Sequence, residues 1–134
     1  AKKADITIET SIDGNNAKSN LRILVLARDM SHIAVRGIAT VESPYRKVST
    51  RVDQTNILLG KNTQVRGVPE LRIATDDIEW GHSCKVHRLG GEGLFYLQSR
   101  GLDTKNAEAL LLSGEIRKHL DTIDDTIKKE SLYE

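Results

Sequence analysis

Apolar and polar residues alternate with a period of two through the first half of the chain. Ile6, Ile8, Thr10 and Ile12 fall on one parity, with Thr7, Glu9 and Ser11 on the other, which is the pattern of a half-buried strand. Asp13-Gly14-Asn15-Asn16 follows as a turn of residues that tolerate positive φ. Leu21 to Ala27 is apolar on both parities and predicts a second strand buried on both faces. Arg28-Asp29-Met30-Ser31 breaks it, and His32 to Val41 predicts a third extended stretch. Ser43-Pro44 marks a turn, after which Val48, Thr50 and Val52 alternate through 47–53. Asn56-Ile57-Leu58-Leu59 is a short apolar run ended by Gly60-Lys61-Asn62. From Gln64 to Ala74 the strand pattern resumes, with Leu71 and Ile73 on one parity and Arg72 on the other.

A short self-similarity runs beneath this alternation. Val35-Arg36-Gly37-Ile38 returns as Val65-Arg66-Gly67-Val68, 30 residues later, and at that offset Val41 meets Leu71 and Val48 meets Ile78. Such a repeat suggests stacked β-coils, each burying its apolar face on the next. The pattern by itself places a β-solenoid level with a β-sandwich.

The texture changes after Leu89. Gly90-Gly91-Glu92-Gly93 reads as a flexible connector, and Leu94 to Gly101 as a short helix ended by a glycine. Asp103 is placed to cap a helix over 104–112 that carries Ala107, Leu110 and Leu111 at helical spacing. Ser113-Gly114 predicts an interruption. A last helix is expected over 115–129, with Ile116, Leu120, Ile123 and Ile127 as its apolar stripe and Lys128 and Lys129 suiting its dipole. A frayed tail is expected over 131–134.

The totals narrow the function classes. The 134 residues suffice for one domain with a modest core; 38% are hydrophobic, 29% charged and 4% aromatic. A net charge of +1, with the two signs interspersed, gives no field for nucleic acid or an anionic membrane. No apolar run approaches a membrane span, so membrane insertion is not expected. One cysteine cannot form an internal disulfide, which points to a reducing, cytoplasmic compartment. The chain starts without Met and enters a strand pattern at once, which suggests a piece of a longer protein.

The candidate chemistry gathers in 75–89. This stretch holds the only Trp, Trp80, the only Cys, Cys84, and two of the four His, His82 and His87. Imidazole and thiolate are borderline and soft metal ligands. On a straight strand His82 and Cys84 share one face and His87 takes the other. Two donors cannot close a four-ligand zinc site, and one cysteine cannot hold an iron–sulfur cluster alone, so any cluster would be transient or shared with another chain. Read locally, the plainer account is favoured: Cys84 a buried small apolar residue and His82 a hydrogen-bonded surface residue. Asp76, Asp77 and Glu79 could supply the acid pair of a polysaccharide-cleaving β-solenoid, or form a solvated turn; the scarcity of aromatic rings for sugar stacking favours the turn. No phosphate-loop, nucleophile-elbow or His-Glu-x-x-His motif is present. His32 and His119 stand alone, and His119 falls off the stripe of its helix as surface.

Longer motifs carry a resemblance. Asn56-Ile57-Leu58-Leu59-Gly60, Pro69-Glu70-Leu71-Arg72-Ile73 with Asp76-Asp77-Ile78, and Gly81-His82-Ser83 are followed by Leu94-Phe95-Tyr96-Leu97-Gln98-Ser99-Arg100-Gly101-Leu102 and Ala107-Glu108-Ala109-Leu110-Leu111. In this order, from Val48 to about Leu120, the chain resembles the SufB/SufD family, core subunits of the SUF iron–sulfur cluster assembly machinery. Residues 1–47 fit as earlier coils of the same β-region.

The resemblance implies a mainly β fold, a right-handed parallel β-helix over 1–89 with a helical C-terminal subdomain over 90–134. It implies a scaffold rather than an enzyme. In the family two such subunits pair through their β-helices, and their C-terminal helices dock on SufC, an ABC-type ATPase. Phe95, Tyr96, Arg100, Leu110 and Leu111 are then the expected partner-binding residues. ATP-driven movement is thought to expose a nascent cluster site at the pairing interface, and His82 aligns with a histidine implicated there in SufD-type subunits. No stably bound cofactor is expected, only a transient cluster shared with the partner. Cys84 falls at a position with no assigned role in the family and is a second candidate contact on its own chemistry alone. SufB-type subunits carry a cysteine just before the Leu-Leu-Gly-like stretch, where this chain has Gln54 or its neighbours. The chain is therefore similar to the SufD type or to a divergent branch. A purely structural interaction module, with no metal chemistry, is the alternative.

Overall fold

The computed structural model describes residues 2–123. Six strands come first: β1 (Lys2–Ile12), β2 (Lys18–Ala27), β3 (Ser31–Val41), β4 (Val48–Leu58), β5 (Gln64–Ile73) and β6 (Ile78–Arg88). Two helices follow, α1 (Glu92–Ser99) and α2 (Thr104–Leu120). The chain divides into two compact units at Arg88 and Leu89.

In the first unit no strand pairs with its neighbour in sequence. Odd strands form one parallel sheet, β1-β3-β5, and even strands another, β2-β4-β6. Each strand lies beside the strand two further on, and the short corners carry the chain from one sheet to the other. This excludes a hairpin-connected antiparallel sandwich.

The alternation read from the sequence decides what points inward. Ile6, Ile8, Thr10 and Ile12 register with Val35, Gly37, Ala39 and Val41, and these with Gly67, Pro69, Leu71 and Ile73. Opposite them stand Leu21, Ile23 and Val25 of β2, in register with Val52, Gln54 and Asn56 of β4. Ile12, Ala39, Val41, Val48 and Val52 form one buried cluster; Ile23, Val25 and Val35 form another. The sheets meet where one of them has no side chain, since a Cβ on Gly37 would stand 2.6 Å from Ile23 Cδ1 and 3.2 Å from Val52 Cγ1.

Several expectations are corrected. The run Leu21–Ala27 is not buried on both faces: Ile23, Val25 and Ala27 are buried, while Leu24 and Leu26 on the other parity are half-buried. The alternation expected over 47–53 and the apolar run after it fall in one strand of 11 residues, Val48–Leu58, because Gln54 and Asn56 continue the buried parity of Val52. The 30-residue repeat holds for Val48 and Ile78 but not for the sheet that suggested it. There Val35 pairs with Gly67 and Val41 with Ile73, two residues beyond the sequence match. A slip of two preserves which face each side chain takes, so the pattern alone cannot detect it.

The second unit begins at Leu89. Helix α1 takes in Glu92 and Gly93, which the sequence assigned to the connector. It ends in a Schellman arrangement: Gly101, at φ 93°, donates its N–H to the Gln98 carbonyl, and Leu102 donates to Leu97. That is the glycine stop the sequence predicted. Asp103 caps α2, its side chain accepting from the backbone N–H of Asn106 at 2.9 Å.

The interruption at Ser113-Gly114 is absent, and α2 runs through both residues to Leu120. Ser113 donates its hydroxyl to the Leu110 carbonyl one turn back, and one helical Gly costs only about 1 kcal/mol. The expected helix over 115–129 therefore has no separate start, and Asp121 and Thr122 already turn out of it. Residues 124–129, with Ile127, Lys128 and Lys129, and the tail over 131–134 lie outside the described residues. Leu120 is exposed rather than part of a buried stripe, and His119, expected at the surface, is half-buried. No helix among the described residues is long and apolar enough to cross a membrane.

Candidate functional site

β6 is the last strand of its sheet, and it carries the residues singled out for chemistry. Register gives their direction. Trp80, His82, Cys84 and Val86 stand beside Thr50, Val52, Gln54 and Asn56, all four of which are buried. The even residues of β6 thus share the inward parity. Yet Trp80 is 60% exposed and Val86 51%, and His82 and Cys84 are exposed as well. Their neighbours on β4 have strands on both sides, whereas among the described residues β6 pairs on one side only.

His82 and Cys84 therefore share a face, as the period of two requires, and His87 takes the other with Ser83 and Lys85. The expectation that Cys84 is a buried apolar residue is overturned, since it is a free, exposed thiol. Its sulfur is still anchored from within, because Asn56 Nδ2 donates to Cys84 Sγ at 3.4 Å and to the Lys85 carbonyl at 3.1 Å. Sequence reasoning missed Asn56 in this role. The one available signal was a pair of amides, Gln54 and Asn56, on the core parity of a strand.

His82 and Cys84 offer one imidazole and one thiol. Among the described residues no group of three or more His, Cys, Asp or Glu side chains is placed to hold a metal ion.

The outward face of β6 is tied down separately. Ser83 Oγ donates to Asp53 Oδ1 at 2.6 Å, and Arg51 Nε donates to Asp53 Oδ2 at 2.8 Å. Burial pushes the Asp53 carboxyl up, but hydrogen bonds from Arg51 and Ser83, with the charges of Arg51 and Arg22, outweigh it and hold the group below its ordinary value. Arg88 donates to the Gly60 carbonyl at the end of the strand. Asp76 and Asp77 sit in the turn before β6, with the Asp77 N–H bonded to Thr75 Oγ1 at 3.4 Å, an arrangement that suits a solvated turn.

In the second unit Phe95 is 74% exposed, Tyr96 56% and Leu110 52%, while Leu111 is half-buried against Gly93. Arg100 places its guanidinium 5.2 Å from the centre of the Tyr96 ring. Phe95, Tyr96 and Leu110 are thus large side chains left open to solvent on α1 and α2.

The family model for the SufBD core domain of SUF-system iron–sulfur cluster assembly matches residues 1–115. The chain belongs to this family. It is 29% identical over 105 residues to the iron-sulfur cluster assembly protein SufD of Escherichia coli, covering 77% of this chain and 25% of that protein. It is also 29% identical to SufD of Bacillus subtilis, over 65% of this chain and 20% of that one. A chloroplastic SufBD family protein of Arabidopsis thaliana is 23% identical over 96% of this chain and 23% of its own length. The chain thus spans a quarter or less of these relatives.

Proposed function

We propose that this chain is part of a scaffold subunit of the SUF machinery, and that it assembles rather than catalyses. Its six strands, taken two to a coil, build successive coils of a right-handed parallel β-helix over 1–89, followed by a helical subdomain over 90–134. The β-helix pairs with a SufB/SufD-type subunit, and a transient iron–sulfur cluster is shared across that pairing, with His82 as first contact from this chain and Cys84 as second. Phe95, Tyr96, Arg100, Leu110 and Leu111 receive a SufC-type ABC ATPase. A reducing, cytoplasmic setting suits an exposed thiol.

One observation carries this reading. Trp80, His82, Cys84 and Val86 share the inward parity of a terminal strand and are exposed. An aromatic ring, an aliphatic side chain and two metal-capable donors on one uncovered face suit a partner that covers the apolar residues and completes the ligand set. The exposed Trp80 and Val86 also favour a second reading, a pairing surface with no metal chemistry.

The test is anaerobic reconstitution with ferrous iron and sulfide, using the chain alone and with a SufB-type partner, read by absorption. A cluster spectrum that needs the partner and weakens in His82→Ala supports the shared site. A partner that binds without any cluster spectrum supports the structural module.

A further inference from the structure

The outward face of the β1-β3-β5 sheet pairs its charges at one end and leaves them open at the other. Toward the C-terminal ends of these strands, Arg72 Nε donates to Glu70 Oε1 at 2.7 Å and Arg72 Nη1 lies 3.7 Å from Glu9 Oε1. Thr40 Oγ1 donates to the same Glu9 oxygen at 3.1 Å. Toward the N-terminal ends, the outward rungs are Lys3, His32 and Gln64, then Asp5, Ala34 and Arg66. Among the described residues, no side-chain hydrogen bond or ion pair engages Lys3, Asp5, His32, Gln64 or Arg66.

These two rungs and the residues between them line a cavity of about 460 Å³. No described residue of the β2-β4-β6 sheet lines it, so it opens on the outer side of the sheet and not between the two. The register explains the space. Ala34 puts a methyl group at the centre, and Asp5 and Arg66 stand on the strands to either side of it. Those two strands are two ladder spacings apart, about 9.6 Å. Around the methyl floor stand an ammonium, a guanidinium, an imidazole and an amide, against one carboxylate. Arg36, the next outward position on β3, is exposed and adds a further positive charge.

We propose that this cleft binds a small phosphomonoester whose ester arm carries a hydroxyl. The Arg66 fork and the Lys3 point charge both suit phosphate oxygens. Donors from three strands suit a tetrahedral dianion better than a planar carboxylate. Asp5, ionised, can only accept: it repels a bare phosphate and accepts from a hydroxyl beside one. The volume is that of a small-molecule site. The cleft lies on the sheet that does not carry His82 and Cys84, so it stands or falls apart from any cluster chemistry there.

The test is titration of the 15N-labelled full chain with glycerol 3-phosphate, methyl phosphate and glycerol at low salt, read by backbone amide shifts. Wild type is compared with Lys3→Gln, Arg66→Gln and Asp5→Ala, and unchanged melting identifies the folded variants. Saturable shifts centred on 32–34 and 64–66 are expected with both phosphates and not with glycerol, glycerol 3-phosphate binding the tighter. Lys3→Gln and Arg66→Gln should each weaken both phosphates about 10-fold or more. Asp5→Ala should tighten methyl phosphate and abolish the preference for glycerol 3-phosphate. No saturable shift with either phosphate, shifts centred elsewhere, or affinities unmoved by Arg66→Gln overturn the site. Two phosphates bound equally, with Asp5→Ala without effect, overturn the hydroxyl-bearing ligand and the role of Asp5.

Discussion

Ser83 and Asp53 are direct partners across the β4–β6 ladder, and the Ser83 hydroxyl donates to the Asp53 carboxylate at 2.6 Å. The bond joins β6 to β4, its pairing neighbour, on the face away from the candidate site. Burial alone would raise the Asp53 carboxyl; its bonds to Arg51 and Ser83 and the nearby positive charges bring it below the ordinary 3.8. A lowered folded-state value stabilises the fold above the unfolded value, and that contribution is lost as pH falls through the folded one. Ser83→Ala should therefore be less stable than wild type at neutral pH, with the gap narrowing below 3.8. Urea unfolding at a series of pH values checks this; a pH-independent gap would count against it.

Gly67 faces Cys84, Asn56 and Gln54 with no room for a methyl group. Gly67→Ala should destabilise the chain by about 1–3 kcal/mol through overpacking. Gly14, with nothing within 4 Å of an added Cβ, is the control, and Gly14→Ala should stay within about 0.5 kcal/mol of wild type. Equal denaturation midpoints for the two variants would show that the side chains around Gly67 give way.

Asp103 accepts from the Asn106 backbone N–H and from the Asn106 side chain, which hold its carboxyl below 3.8. The sign is the same as for Asp53: the charged cap is complete above the ordinary value and is lost as pH falls through the folded one. Far-ultraviolet circular dichroism should show less helix in Asp103→Ala at neutral pH. Asp103→Asn should keep the cap and lose the acid dependence. Wild-type helix content in Asp103→Ala would mean the cap contributes nothing.

Phe95 is 74% exposed, so Phe95→Ala should leave the melting temperature unchanged. If the two helices receive an ATPase, the same substitution should weaken that complex by about 2 kcal/mol, as loss of a central aromatic anchor does. Calorimetric titration of the full chain with a SufC-type ATPase measures it, and undiminished affinity would move the docking surface elsewhere.

Much of the β-region was legible because alternation is a direct statement about faces. Ile12, Val41, Val52 and Ile73 were all readable as inward. The pairing was less so: a register error of two residues moves no side chain to the other face, so Val35 could be matched to Val65 when its ladder partner is Gly67. Helix ends marked by a cap, Asp103 and Gly101, were readable too. The break expected at Ser113-Gly114 was not real, because a weak helix former is tolerated inside a continuous helix. At the candidate site, the shared face of His82 and Cys84 followed from their spacing. The exposure of Cys84 and its bond from Asn56 did not, since both depend on which strand ends the sheet and on a residue 28 positions away.

The four ladders close at unequal distances along the chain: Lys2 meets Ser31, Lys18 meets Ser49, His32 meets Gln64 and Val48 meets Ile78. The strands nevertheless keep their inward residues in register, so the difference in length is taken up entirely at the corners. The corners and the ladders thus answer to different constraints. A residue gained or lost at a corner leaves every inward side chain in place, whereas the same change inside a strand turns the rest of that strand inside out. Natural length variation, and the insertion of a tag or reporter, should accordingly collect in 13–17, 28–30, 42–47, 59–63 and 74–77 and spare the strands between them.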